Sequence, residues 1–376
     1  MLSTLRLRFH HWAVGALLTF VLALTALFLY VVIGRFNDTV EADAKERFRL
    51  IALNAVERVT RLIGRTSSVV AAESRVRSER YIESGRPSEQ MLGTFLTQLD
   101  SERNLYSVYF GLENDDFMQV VNTHDDPRIL AALKAPAGTR FAVRRILAQG
   151  GAREESWEFQ SPDRRVLGTH AGSTDYFPTK RPWYGDAKKA SSVAITDPYR
   201  FASSQDLGIT ISAALRDGVG VVGADLSLAS LDDVVAKTKL TPNGGVVVLD
   251  RTNRVLASHS MASRKLADIP PLTMVSATGI PHLAVLEKWQ AGEESSARIV
   301  EVGGEKFVFA QHVYTPAPGT HLRIGAFAPM SDFSGPIEAA RNQVILVTII
   351  FLLVMVPLAV VGSRRVGSSL VSLAAD

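Results

Sequence analysis

The chain has 376 residues, 47% of them hydrophobic, no cysteine and a formal net charge of +3. Without cysteine it has no disulfide, no thiol nucleophile and no thiolate metal site. Its 41 basic residues are scattered among 38 acidic ones with no basic tract, which excludes nucleic acid as a partner, and the length is more than one ordinary domain needs.

The first element is an apolar run from Trp12 to Gly34, interrupted only by Thr19, Thr25 and Tyr30. It meets the roughly 20 residues that a helix needs to cross about 30 Å of hydrocarbon. A matching run, Val344 to Gly362, stands near the other end and defines a second span over 343–362. Arg6 and Arg8 precede the first run, and Arg364 and Arg365 follow the second. Positive residues in short flanks stay cytoplasmic, so segments 1–11 and 363–376 are expected inside and 35–341 outside. The first run is longer than the roughly 7–15 apolar residues of a cleaved leader and has no small-x-small site after it. It therefore reads as an anchor, and lipid is an expected partner of both spans.

Beyond the first span, Phe36, Val40, Ala44, Phe48, Ile51, Ala55, Val59, Leu62 and Ile63 recur at steps of three and four, which predicts one helix over 36–75. Its stripe is wide enough to pack on its own domain, to form the seam of a homodimer, or both. Gly85-Arg86-Pro87-Ser88 breaks the pattern, and Ser88 is placed to cap a short helix through Leu99. The period then changes to that of strands: Leu105–Gly111, Asp116–Asn122, Phe141–Leu147, Glu154–Phe159 and Arg164–His170. Asp115-Asp116 and Asp125-Asp126 read as solvated turn acids. Pro182 suits the first position of a helix. Strands Leu207–Leu215 and Val219–Leu226 follow, then a helix from Leu228 to Lys237. Gly218-Val-Gly220-Val-Val-Gly223 spells a dinucleotide fingerprint but leads into a strand rather than a helix, so it is a turn.

After Thr241-Pro242-Asn243-Gly244-Gly245 a smaller unit repeats the theme. It has hairpin strands at Val246–Asp250 and Val255–Ser258, a helix near Leu283–Gln290, a hairpin of Arg298–Val302 and Lys306–Tyr314, and a last strand at Leu322–Ala328. Helix Asp332–Asn342 leads into the second span. The expected fold class is α+β: the long helix, then two tandem PAS-like antiparallel modules, a membrane-distal one over about 76–240 and a membrane-proximal one over about 241–331.

The densest group of chemically interesting residues is Tyr176-Phe-Pro-Thr-Lys-Arg181-Pro-Trp183-Tyr184, followed by Thr196-Asp197-Pro198-Tyr199 and Gly223-Ala224-Asp225. In Arg-Pro-Trp-Tyr-x-x-Ala at Arg181–Ala187, Thr-Asp-Pro-Tyr at Thr196–Tyr199 and Val-Val-Gly-Ala-Asp-Leu-Ser-Leu at Val221–Leu228 the chain resembles the double Cache family of bacterial extracytoplasmic sensors. The resemblance covers roughly 36–341 and includes sensors fused to nucleotide cyclases and cyclic-di-nucleotide phosphodiesterases. It implies a small-molecule ligand, an amino acid or another small metabolite, and no cofactor. In the amino-acid-binding branch, Arg181 and the Trp183 indole N–H would hold the α-carboxylate. Tyr184 and Asp225 would hold the α-ammonium, and Tyr176 and Tyr199 would line the site. The same cluster has a plain structural alternative, with Trp183 and Tyr184 as core, Arg181 paired to Asp175, and Asp225 capping the next helix.

Val366–Asp376 resembles the opening of a HAMP linker helix, with Leu370 and Leu373 at helical spacing and Ser369 where that family usually has proline. The chain then stops before an output domain could fit, so it reads as a fragment of a longer receptor or a stub. The eight histidines are dispersed and show no metal spacing. No nucleophile elbow, zinc motif or phosphate loop is present, which weighs against a membrane-tethered enzyme; a scaffold without ligand is the other rival to a sensor.

Overall fold

The computed structural model describes residues 2–83, 86–149, 152–289, 297–318 and 320–372. Helix α1 runs without interruption over Leu2–Ser74. Along it Val40, Ala44, Phe48, Ala55, Val59 and Leu62 are buried, so the apolar stripe is covered by the chain's own residues. The opposite face is solvated and carries ion pairs one turn apart, Arg47 with Asp43 and Arg61 with Glu57, each worth only a few tenths of a kcal/mol, about 0.3–0.5.

A 3₁₀ turn at Ser78–Arg80 and a two-residue ladder, β1 (Ile82–Glu83) with β2 (Arg86–Pro87), lead to α2 (Glu89–Ser101). Ser88 caps α2 by accepting the Gln90 N–H at 3.2 Å. The first large sheet is then laid down by β3 (Ser107–Leu112), β4 (Phe117–Asn122), β5 (Phe141–Gln149), β6 (Ala152–Gln160) and β7 (Val166–Ser173), with the short helix α3 (Pro127–Leu133) between β4 and β5. Helix α4 (Pro182–Lys189), strands β8 (Ala194–Ile195), β9 (Tyr199–Arg200), β10 (Leu207–Ala214) and β11 (Gly220–Ser227), and helix α5 (Leu228–Ala236) complete that part. The sheet order is β7-β6-β5-β4-β3-β11-β10-β8, with β9 also paired to β10.

The second sheet has the order β13-β12-β16-β15-β14, from β12 (Gly245–Leu249), β13 (Val255–Ser260), β14 (Ala297–Val302), β15 (Glu305–Ala317) and β16 (Thr320–Pro329). Helices α6 (Arg264–Ala267) and α7 (Pro281–Glu287) lie between β13 and β14, and α8 (Ser331–Ser372) closes the chain. The fold is α+β, with a long N-terminal helix and two antiparallel sheets.

The chain divides into two compact units. One consists of Phe48–Arg298 and Phe309–Ala328. Within it, Asp232 of α5 accepts the Ser258 N–H of β13 at 2.9 Å. Arg251 also pairs with Asp197 at 2.7 Å. The other unit consists of Met1–Arg47, Ile299–Val308 and Pro329–Asp376; in it Lys306 Nζ meets Glu41 at 2.9 Å. Two stretches, at the start of α1 and at Ala340–Leu358, are long and apolar enough to cross a membrane. Large side chains there, Phe20, Leu24, Leu27, Leu346, Phe351 and Leu353 among them, stand exposed, as contact with lipid requires.

Some expectations are corrected. Asp116 is not a solvated turn acid: it is buried and accepts from Asn114 Nδ2 at 2.9 Å. Asp126 caps α3, accepting the Arg128 N–H at 2.8 Å with Pro127 in the first turn; seven residues are too few for a helical period to show in the sequence. The cap of α5 is Ser227, which accepts the Ser230 N–H at 3.1 Å, because Asp225 lies inside β11. The expected end of the helix at Gln290 and the linker residue Leu373 lie outside the described residues.

Candidate functional site

Register decides which side chains meet. Across the large sheet Ser212, Gly223, Tyr109, Gln119, Arg144 and Trp157 stand opposite one another in a single row on β10, β11, β3, β4, β5 and β6. The neighbouring row on the same face is Thr210, Asp225, Ser107, Val121 and Ala142. Since directly opposed residues project from the same side, one face carries a band of buried polar groups: Ser107, Gln119, Arg144, Thr210, Ser212 and Asp225.

Helix α4 sits on this face. Gly111 allows it, since a Cβ there would stand 2.7 Å from Pro178 Cβ and 2.9 Å from the Trp183 ring; Gly223 in turn makes room for Tyr109, whose ring a Cβ would approach to 2.6 Å. Ser212 Oγ donates to the Trp183 carbonyl at 2.9 Å, fixing the first turn of α4. The preceding loop is held by Asp115, which accepts both the N–H of Thr179 at 3.1 Å and its hydroxyl at 2.6 Å.

Asp225 is the centre of the polar band and is 2% exposed. Its carboxylate accepts from Ser107 Oγ at 2.7 Å, Tyr109 Oη at 2.8 Å and Thr210 Oγ1 at 2.5 Å. The proton of Thr210 is used there, so Tyr199 Oη, 2.6 Å away, donates to Thr210. Gln119 Nε2 donates to Ser107 Oγ at 3.0 Å. Asp225 makes no ion pair among the described residues. Burial pushes its pKa up from 3.8 to about 6, against the downward pull of the three hydroxyls and of Arg181.

Arg181 is half-buried. Its guanidinium lies 5.6 Å from the Tyr176 ring and 5.9 Å from the Tyr199 ring, within range of cation–π attraction. It does not pair with Asp175, and its buried Nε has no hydrogen-bond partner among the described residues. Burial pushes the Tyr176 phenol up to about 12, while Arg144, Arg181 and a hydrogen bond from Trp183 pull it down. Tyr109 and Tyr199 are raised by burial first and by Asp225 next.

Of the residues expected at the site, Tyr176, Arg181, Tyr199 and Asp225 converge on this band. Trp183 is 1% exposed and meets Tyr109 edge-on at 4.9 Å and Tyr184 at 5.5 Å. Tyr184 is packed in the same core, and its hydroxyl is not among the partners of Asp225. After burial, the groups that raise the Tyr184 pKa, to about 12, are Glu113 and Asp115, at the turn between β3 and β4. The sequence motifs gave no sign of Ser107, Tyr109, Gln119, Arg144 or Thr210, which only register brings to Asp225. A partial signal was present: these polar residues occupy alternate, inward positions of otherwise apolar strands. Among the described residues no cluster of His, Asp and Glu could hold a metal ion.

Packing around Gly223 is tight enough to test. Gly223→Ala is expected to lower stability by about 1–3 kcal/mol, because Tyr109 is wedged between Trp183 and Phe117, with centroids at 4.9 and 5.6 Å. An unchanged urea midpoint would mean that the Tyr109 ring is free to move.

Residues 159–233 match the methyl-accepting chemotaxis protein-like first PDC sensor domain. Adenylate cyclase 1 of Rhizobium meliloti is 26% identical over 236 residues, 62% of this chain and 35% of the cyclase. The chemotaxis protein McpB of Bacillus subtilis is 36% identical over 85 residues, 22% of this chain and 13% of that protein. The chain thus spans about a third of the cyclase and a smaller share of the chemotaxis protein. In fold it is similar to the ligand-binding domain of the Campylobacter jejuni chemoreceptor Tlp3 solved with L-valine, with a TM-score of 0.51, 16% identity and coverage of 79% of this chain and 97% of that one. The matched segment includes Arg181, α4 and β11, which carries Asp225, and the similarities in sequence and fold are to sensor domains of chemoreceptors.

Proposed function

We propose that this chain is the extracytoplasmic sensor of a two-span membrane receptor and that it binds an amino acid between Arg181 and Asp225. The observation that carries this reading is a pair of opposite charges that make no salt bridge among the described residues. There the buried Asp225 side chain is met only by hydroxyls, and Arg181, beside the Tyr176 and Tyr199 rings, has a buried N–H with no acceptor. A buried charge is stabilised by a charged partner. A ligand bearing both an ammonium and a carboxylate supplies one to each residue, the guanidinium binding the carboxylate in a planar fork. Charge-assisted bonds contribute about 1.5–3 kcal/mol each, so two or three bring binding into roughly the micromolar range.

Tyr176, Arg181 and Tyr199 are the half-buried members of the cluster and form its solvent side, with Asp225, Thr210 and Tyr109 behind them. The amino acid bound by the Campylobacter jejuni domain of similar fold supports the ligand class. The apolar stretches of α1 and α8 support anchoring with 35–341 in the periplasm of a bacterial inner membrane, and α8 carries the change in the sensor towards a cytoplasmic output domain. The longer alignment with the cyclase than with the chemotaxis protein favours a nucleotide-handling output.

Isothermal titration of the full chain in lipid nanodiscs with the twenty amino acids tests this. At least one is expected to bind in the micromolar range, and Arg181→Ala and Asp225→Ala are each expected to weaken it at least about tenfold. Binding that both variants leave intact would refute the assignment.

A further inference from the structure

The polar band does not end at Asp225. The neighbouring row, that of Tyr109, continues through Gln119 on β4 to Arg144 on β5. Arg144 is 6% exposed, and its guanidinium lies 4.5 Å from the Tyr176 ring, 5.4 Å from Trp157 and 5.9 Å from Phe117. Tyr176 is therefore shared, with Arg181 within cation–π range of its ring as well. Arg144 Nε donates to Glu155 Oε1 at 2.5 Å. A guanidinium on the buried face of a core sheet is unusual, since arginine is almost never fully buried unless paired.

An alkyl side chain is best received by apolar walls, and pressing one against a guanidinium removes water from N–H groups without replacing its hydrogen bonds. Resting on the amino-acid reading above, we infer that the ligand's side chain ends in a carbonyl oxygen that accepts an N–H of Arg144. The guanidinium has five N–H donors, and among the described residues Glu155 takes only the Nε one. Glu155 also neutralises Arg144, so a second carboxylate beside it would meet a like charge, whereas a carboxamide oxygen would not. The expected order of affinity is carboxamide, then carboxylate, then aliphatic.

The test is titration of the full chain in nanodiscs with L-asparagine, L-glutamine, L-aspartate and L-glutamate against the near-isosteric L-leucine and L-methionine. The amides are expected to bind at least about tenfold more tightly than leucine or methionine, as a site built to hydrogen-bond its ligand discriminates against analogues that cannot. In the double variant Arg144→Gln/Glu155→Gln, which leaves no charge stranded, that ratio is expected to fall to about threefold or less. Aliphatic ligands binding as tightly as amides would overturn the inference while leaving an amino-acid sensor in place, as would a ratio that survives the double variant. Failure of every amino acid to bind would remove the underlying reading as well. Should the double variant not fold by circular dichroism, the order of affinities in the wild-type chain decides alone.

Discussion

Trp183→Ala is expected to destabilise the unit that carries the large sheet by about 3–5 kcal/mol, which for a domain of this size lowers Tm by roughly 10 °C or more. The indole is among the largest fully buried side chains, and it packs against Tyr109, Phe117 and Tyr184. Removing it leaves a cavity under α4, whose first turn is tied to β10 by the hydrogen bond from Ser212. Trp183→Phe keeps most of the volume and is expected to cost well under half as much. Chemical denaturation of both variants in detergent checks this. A Trp183→Ala chain with an unshifted midpoint but lost amino-acid binding would show that the indole serves the ligand and not the core.

The second large effect concerns pH. The folded-state pKa of Asp225 is raised, from 3.8 to about 6, by burial. Well below pH 3.8 the carboxyl is protonated in folded and unfolded chains alike, and its contribution to stability is fully present. As pH rises from there to about 6 the unfolded chain ionises while the folded chain stays protonated, so stability falls by about 3 kcal/mol and levels off once pH has passed the folded pKa. Asp232 is raised to about 6 for the same first reason and acts in the same direction. Asp250, whose pKa is lowered by hydrogen bonds from Arg254 and Thr252 that outweigh its burial, acts oppositely and loses its contribution as pH falls through its folded pKa. Asp225→Asn stays neutral throughout. It is expected to lose much of the decline between pH 4 and 7 and to be at least as stable as the wild type at pH 7.5. Ligand binding runs the other way: an ammonium needs the ionised carboxylate, so affinity is expected to rise with pH up to about 6 and stay flat above. Denaturation midpoints and titrations at pH 5, 6, 7 and 8 read both trends. Parallel rather than opposite trends would show that Asp225 is not the ammonium's partner.

Much of the fold was legible because burial imposes periods on the sequence. The stripe from Val40 to Ile63 and the strand-like runs Asp116–Asn122 and Leu207–Leu215 place the end of α1 and the strands β4 and β10 to within a residue or two of where they lie, whereas the start of α1 at Leu2 makes one helix of what reads as two. Strands β8 and β9 were not legible: each has two residues and exists by virtue of its pairing with β10, which leaves no period to read. The site was legible where its residues are close in sequence, as in Arg181-Pro-Trp-Tyr, and at Asp225 through its motif. It was not legible where strand register assembles it, since Ser107, Gln119, Arg144 and Thr210 come from four separate strands. The sequence also could not separate a tyrosine at the polar band from one packed beside it: Tyr176 and Tyr184 stand in the same short stretch, yet only the first reaches the band.

The hydrogen-bonded chain that runs from Tyr199 through Thr210 to the accepting Asp225, joined on the far side by Gln119 through Ser107, has a consequence of its own. Once ionised, Asp225 can only accept, so every proton in that chain then points inward. An ammonium docking on Asp225 competes for the oxygen that Thr210 occupies, and Thr210 can then turn its proton towards Tyr199. Such a reversal moves hydrogens while the heavy atoms stay almost in place, and the backbone of Thr210 is bonded to Thr196, next to the Asp197 that grips Arg251. Arrival of a ligand would thus be recorded first as a change in the sense of a few O–H bonds.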